Sequence, residues 1–364
     1  MTRRIALAVG DTPGHFYPAL AVADAYRHHV GTVECTLFGP RDGLASALAA
    51  QQGWPYEAIS AAPIARTAGL GFAAAAVQTG RGIAEAHRAL RHRRIQLAIG
   101  FGSFATGAVL LGARLLGRPT VIHEGNAVPG LANRWLAHVV DHACVSPWLD
   151  RASLAARHLT VTGWPVRPSL DALASTPLTP PSAGAAHLLV LSGSRDGASF
   201  ARWLPSLVGD LSRLGVRVDV RHQLADGDAL RLVQAYRDAG TVATVMPFIE
   251  DAAAAYEWAD LVVARAGAGT VAELALAGRP ALLVPLPSAA HDHQADNAAS
   301  MVAAGAAISI RERDWHEARV AEQVATLLRP ANWRAAAEAA RRTAMPGAAG
   351  AVVAVCERLL GDAR

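Results

Sequence analysis

The sequence predicts an α/β protein of two like-built halves facing one another across a cleft, each a parallel sheet flanked by helices. Three observations carry that reading. Short apolar strands alternate with helical stretches along the whole chain. Glycine-rich turns follow the strands IALAV (5–9), LAIG (97–100), LLVL (188–191) and LVVA (261–264), and 364 residues exceed what one core comfortably encloses.

Taken in order, IALAV leads into GDTPGHFYPALAVADAY (10–26), a glycine-bounded loop and a helix that Pro18 can open without losing a needed donor. His15 stands in that turn at the mouth of the domain, and it reads either as a packing or capping residue or as a catalytic one in a strand–loop–helix crevice. CTLFG (35–39), DGLASALAAQQG (42–53) and EAIS (57–60) continue the alternation. The segment 64–94 mixes Leu70, Phe72 and Val77 with Arg66 and Arg81 ahead of an arginine-rich helix. It is either a loop with a surface helix or, over 64–81, a membrane-facing patch, apolar at its tip and basic at its rim. Residues 97–117 read as strand, glycine turn and helix. Residues 119–137 repeat the scheme with Glu124 and Asn126 at the strand end, and HACVS (142–146) closes the half. Three loops, carrying His15, residues 100–107 and the Glu124/Asn126 pair, thus open at the carboxyl ends of parallel strands, where open α/β sheets bind ligands.

A boundary falls around 161–173, and the proline-rich 175–185 reads as a connection between domains. The domains expected are 1–163 and 164–344, with a terminal helix over 345–364 packing back on the first. The second half restarts at HLLVLSGSRDGASF (187–200), where Gly193 and Ser194 are placed to meet a phosphate. Strands at 216–223, 241–251 and 261–264 follow, and Phe248 with Ile249 can flank a base. In ARAGAGTVAE (264–273), Gly267 and Gly269 let the backbone approach a phosphate, and the helix opened by Thr270 aims its unpaired amides at the loop. Glu273, one turn in, suits both hydroxyls of a ribose. Any βα turn favours glycine, but a second polar loop, HDHQADN (291–297), follows ALLVPL (281–286) and turns Gln294 and Asn297 toward the same crevice. A nucleoside diphosphate is the guest these loops fit. The chain ends with a strand at 306–310 and helices near 316–328, 331–343 and 347–360.

Composition narrows the class. No apolar run approaches the ~20 residues of a membrane span, and the start runs straight into a strand without room for a signal peptide. Cys35, Cys144 and Cys356 lack metal-ligand spacing, so neither a disulfide framework nor a zinc scaffold is expected, and the compartment expected is the cytoplasm. His291-Asp292-His293 read as solvated loop residues, not metal ligands. The net charge is +4 with a pI of about 9.3, and lysine is absent, so every basic side chain other than histidine is arginine. The excess suits an anionic membrane surface or phosphorylated substrates. It suits nucleic acid poorly, because no aromatic-interleaved basic stripe is present.

With these motifs in place, the chain resembles the MurG-type glycosyltransferases, which move N-acetylglucosamine from UDP-N-acetylglucosamine to the membrane-bound lipid I of peptidoglycan synthesis. The resemblance runs through GDTPGHFYPALAVA (10–23), IHEGNAVPGLANRWLA (122–137), GWPVR (163–167), residues 248–287 and DHQADNAASMVAAGAA (292–307). It implies two Rossmann-like domains in the glycosyltransferase B arrangement, inverting transfer without metal or cofactor, and peripheral attachment to the inner face of the cell membrane. For the donor it implies Gly193 and Ser194 at the diphosphate with Arg167 reaching in, Phe248 and Ile249 at the uracil, Glu273 at the ribose, and Gln294 and Asn297 at the sugar hydroxyls. On the acceptor side it implies His15, Glu124 and Asn126 as the catalytic group, His15 being the base, with Thr12, Gly14, Gly102 and Phe104 lining the acceptor loops.

The motifs also depart from the family. Its GGTGGH stands here as GDTPGH, with Asp11 and Pro13 for glycines; HEQN is HEGN, with Gly125; GGY is Gly102-Ser103-Phe104; and GNPVR carries Trp164. Pro13 stiffens the first loop and Asp11 adds charge to it, so that loop is expected to be less hospitable to a pyrophosphate. These changes fall mostly on the acceptor side, which leaves open a transferase with another acceptor or a silent scaffold beside the lipid I reading. A nicotinamide-dependent dehydrogenase ranks low because GDTPG lacks the GxGxxG spacing.

Overall fold

A computed structural model describes residues 2–60, 70–181, 184–193, 197–287, 292–315 and 319–362. The chain divides into two compact units, Met1–Arg167 with Gly347–Arg364, and Pro168–Pro346.

In the first unit, apolar runs form a parallel sheet whose central strands are buried, as helices on both faces require. The strands are β1 (Arg3–Ala8), β2 (Val33–Gly39), β3 (Tyr56–Ala58), β4 (Leu97–Gly100), β5 (Thr120–Glu124), β6 (His142–Val145) and β7 (Leu159–Val161). They pair in parallel in the order β3-β2-β1-β4-β5-β6-β7. Helices α1 (Pro13–Val30), α2 (Leu44–Gln51), α3 (Leu70–His92), α4 (Phe104–Leu115) and α5 (Leu131–Leu136) connect them. One face of the sheet packs Ile5, Leu7, Phe16, Tyr26 and Leu37 together with Val352, Val355 and Cys356 of the C-terminal helix. The other packs Ala6, Ala8, Phe38, Leu90, Val109 and Ile122.

The second unit repeats the plan with β8 (Ala186–Leu191), β9 (Val218–Gln223), β10 (Ala243–Met246), β11 (Leu261–Ala264), β12 (Ala281–Leu283) and β13 (Ala307–Ser309). Their order is β10-β9-β8-β11-β12-β13, again parallel. Its helices are α6 (Pro168–Asp171), α7 (Gly197–Arg213), α8 (Ala229–Asp238), α9 (Ala252–Trp258), α10 (Ala268–Ala277), α11 (His293–Ala303), α12 (Val320–Leu327) and α13 (Pro330–Arg342); α14 (Ala348–Asp362) is the C-terminal helix that joins the first unit. Leu188, Val190, Phe200, Leu204, Val263, Leu282 and Trp333 fill its core. Each sheet reverses its winding once, between β1 and β4 and between β8 and β11. Adjacent loops diverge there and leave a crevice.

Three expectations are corrected. Helix α1 opens at Pro13, not at Pro18, which lies inside it: Thr12 is an extended N-cap and Pro13 occupies the first turn, where no amide is needed. The first sheet does not close at β6, because β7 pairs with it. The proline-rich stretch 175–185 lies within the second unit and is no connection between units. Its beginning is clamped by Arg341, whose guanidinium donates to the carbonyls of Ala174, Thr176 and Ala277.

Among the described residues no helix is long and apolar enough to cross a membrane, and no group of three or more His, Cys, Asp or Glu could hold a metal ion. The three cysteines are buried and free. Burial pushes the Cys35 and Cys144 thiols up to about 12.

Candidate active site

At the β1/β4 reversal the first turn of α1 carries His15. The Thr12 carbonyl accepts from the amides of His15 and Phe16 at 3.0 and 3.1 Å, and the Thr12 hydroxyl lies 3.0 Å from His15 Nδ1. The ring rests against two glycines. A Cβ on Gly10 would stand 2.3 Å from Nδ1, and one on Gly102, whose φ is +85°, would stand 3.2 Å from Nε2. A Cβ on Gly14 would meet nothing within 4 Å, so the loop is open on that side. Ser103, at the N-cap of α4, holds a φ of 111°, a region that strains any side chain. Phe104 opens α4, and its side chain lies outside the described part.

Asp11 does not face this opening. Its Oδ1 accepts from the Ala45 amide at 3.1 Å, and a Cβ on Gly43, φ +141°, would overlap its carboxylate at 2.2 Å. The carboxylate therefore caps α2 from another loop, its charge matched to the helix N-terminus. The charge that Asp11 brings to the first loop is thus bonded to the start of α2.

At the end of β5, Glu124 is 3% exposed. Its Oε1 accepts from Asn126 N (2.9 Å) and Nδ2 (3.0 Å), and its Oε2 from Gly130 N and Asn133 Nδ2 (both 2.9 Å). A carboxylate so occupied shapes the 125–130 loop, and Asn126 is the partly exposed member of the pair. Beside it, His123 donates Nε2–H to the Gly163 carbonyl at 2.8 Å, and burial lowers its pKa to about 4, which leaves the ring neutral. Gly125 and Trp164, two separate departures in the sequence, are one feature: a Cβ on Gly125 would lie 1.8 Å from the Trp164 ring. Arg167 ends the first unit with its guanidinium 5.3 Å from the centroid of the Tyr17 ring.

In the second unit, Gly193 follows β8 with a φ of +75° and open space where a Cβ would be. Ser194 lies outside the described residues, as does His291. Gly267 is the extended N-cap of α10, and Gly269 and Thr270 fall in its first turn, so backbone amides point out of the β8/β11 reversal. Glu273 is half-buried and accepts from the Tyr256 hydroxyl through Oε2 at 2.9 Å. Gln294, in the first turn of α11, accepts from the Leu286 amide at 3.0 Å. Asn297 is 0% exposed and donates Nδ2–H to the Ala266 carbonyl at 3.0 Å. That bond ties Asn297 to the glycine turn before α10. Phe248 is 53% exposed in the loop after β10, with Ile249 half-buried beside it.

Within each unit, then, the sequence-predicted residues gather at carboxyl strand ends: Thr12, Gly14, His15 and Gly102 in the first, and Gly193, Gly267, Gly269, Thr270, Glu273 and Gln294 in the second. Two supports escaped the sequence. Buried Arg265 lies under the glycine turn, ion-paired with Glu312 and donating to the Val284 carbonyl at 3.1 Å. Tyr256 is the partner of Glu273. An arginine set between an apolar strand and a glycine turn was a signal for the first; nothing local pointed to the second.

Residues 5–145 match the glycosyltransferase family 28 N-terminal domain and residues 187–351 the family 28 C-terminal domain. The UDP-N-acetylglucosamine–N-acetylmuramyl-(pentapeptide) pyrophosphoryl-undecaprenol N-acetylglucosamine transferase of Nitrosococcus oceani is 40% identical over 358 residues, 98% of each chain. That of Halorhodospira halophila is 40% identical over 366 residues, also 98% of each. Among solved structures, MurG of Acinetobacter baumannii superimposes with a TM-score of 0.80 at 28% identity, covering 98% of this chain and 99% of that one. A kitacinnamycin glycotransferase, at 15% identity and a TM-score of 0.68, shares the fold.

Proposed function

The chain belongs to glycosyltransferase family 28, and from that premise we propose that it transfers N-acetylglucosamine from UDP-N-acetylglucosamine to lipid I, forming lipid II in peptidoglycan synthesis. Near-full-length identity to relatives named for this reaction supports the substrates. The observation that carries the chemistry is His15, held by Thr12 against two glycines at the β1/β4 reversal.

Inverting transfer forms a bond between the acceptor hydroxyl oxygen and the anomeric carbon as the bond to UDP breaks. The hydroxyl proton passes to a base, and negative charge grows on the departing diphosphate. His15 is the base in this reading. The amides at the start of α10, with Gly193, meet the diphosphate, Glu273 takes the ribose, Phe248 flanks the uracil and Gln294 meets the sugar. The first unit is the acceptor domain and the second the donor domain. Attachment is peripheral, at the inner face of the cell membrane. Val77 on α3 is 74% exposed and Arg81 follows one turn later, while 61–69 lie outside the described residues.

The test is UDP release from UDP-N-acetylglucosamine by purified protein, with and without a short-chain lipid I analogue, in the presence of EDTA. Release that depends on the analogue and ignores EDTA is expected. Release without the analogue, or none at all despite UDP binding, overturns the acceptor assignment, and loss with EDTA overturns the metal-free mechanism.

A further inference from the structure

We propose that Trp164 is a specificity-determining residue for the acceptor, its indole forming an apolar wall against which the acceptor's sugar ring lies while its hydroxyl is presented to His15. This rests on the transferase reading above and goes beyond it by naming the residue that shapes the acceptor side.

The argument begins with exclusion. A Cβ built on Gly125 would stand 1.8 and 2.0 Å from Cζ3 and Cε3 of Trp164, so no side chain at 125 coexists with the indole where it lies. The backbone cannot withdraw, because the Gly125 carbonyl is pinned from behind by Trp148 Nε1 at 2.7 Å and Ser146 Oγ at 2.8 Å. Nor is the indole loose. It meets the His123 ring edge-on at 5.4 Å and 71°, and His123 is itself fixed to the Gly163 carbonyl at 2.8 Å and stacked on Phe101 at 6.0 Å. Phe101 runs directly into Gly102, against which His15 rests. The aromatic row Trp164, His123, Phe101 thus leads to the candidate base.

Trp164 is only half-buried, although Pro165 and Val166 after it are buried. Part of the indole thus remains accessible beside the loop that carries Asn126. A sugar ring has an apolar C–H face and polar edges, so an indole beside amide and imidazole groups suits it. With glycine at 125 the loop offers no polar side chain at that point, and the indole takes over the contact area.

The experiment uses the full chain, UDP-N-acetylglucosamine and the short-chain lipid I analogue, with Trp164→Ala, Trp164→Phe, Gly125→Gln and the Gly125→Gln/Trp164→Ala double variant. Trp164→Ala is expected to raise KM for the analogue about three- to tenfold, as loss of one aromatic contact implies, with KM for UDP-N-acetylglucosamine unchanged. Trp164→Phe should keep most of the acceptor affinity. Gly125→Gln should lower Tm, and the double variant should recover it, because alanine vacates the space. An unchanged acceptor KM in Trp164→Ala, or donor and acceptor KM rising together, overturns the assignment, as does a Gly125→Gln protein of undiminished Tm. Wild-type protein that releases no UDP with the analogue fails the transferase reading itself and takes this inference with it.

Discussion

His15 has its Nδ1 held by the Thr12 hydroxyl and its ring confined by Gly10 and Gly102. Replacing it with alanine should lower kcat by about 10²- to 10⁴-fold, the range of general-base catalysis. Binding of UDP-N-acetylglucosamine, measured by calorimetry, should persist. Loss of that binding would show that His15 supports the fold instead. Ser103 makes a different demand. Its φ of 111° is a glycine conformation, and the strain relieved by Ser103→Gly, about 1–3 kcal/mol, outweighs the ~0.5–1 kcal/mol entropic cost of glycine. A raised denaturation midpoint is the expected result, and a lowered one would mean that the hydroxyl's contact with the Val9 carbonyl matters more.

At the scale of elements, side chains that look ligand-directed in the sequence hold loops and helix ends. Asp11 caps α2 from across the chain. Asp11→Ala should cost about 1 kcal/mol and Asp11→Asn less, read by chemical denaturation, with turnover retained. Asn297 joins α11 to the glycine turn before α10. Asn297→Ala leaves the Ala266 carbonyl without that donor, at a cost of ~1–3 kcal/mol, and should raise KM for UDP-N-acetylglucosamine more than it lowers kcat. A selective fall in kcat would restore Asn297 to the sugar. Glu124 does for the 125–130 loop what Asn297 does for the glycine turn.

Across the whole molecule, each unit contains a buried neutral histidine. Burial lowers His123 in the first unit and His222 in the second to about 4, from 6.5. Between those values the unfolded chain binds protons that the folded chain does not. Stability is therefore complete above about pH 6.5 and drains as the pH falls toward 4, by up to ~3 kcal/mol for each ring. Denaturant titrations from pH 7.5 to 4.5 should show this slope, and a flat profile would contradict the burial argument. The first unit also depends on the far end of the chain. Val352, Val353, Cys356 and Leu360 of α14 lie in its core, and Arg3 pairs with Glu357 at 2.6 Å. Truncation after Pro346 should abolish cooperative unfolding of the first unit and leave that of the second, which calorimetry resolves.

The alternation of strand and helix, the glycine turns at the reversals and the histidine in the first turn were legible in the sequence, because side-chain period and backbone freedom are properties of a few consecutive residues. Strand β7 shows itself only through its pairing with β6, and the proline-rich 175–185 reads as a linker until Arg341 is seen clamping it. Only the tertiary structure decided that Glu124 and Asn297 turn inward, that Asp11 belongs to α2, that Arg265 pairs with Glu312 and that Gly125 and Trp164 exclude any alternative together. Each of those depends on whether two side chains distant in sequence share one small volume or one hydrogen bond, and residue type alone does not say which way a polar group turns when both solvent and a buried partner can satisfy it.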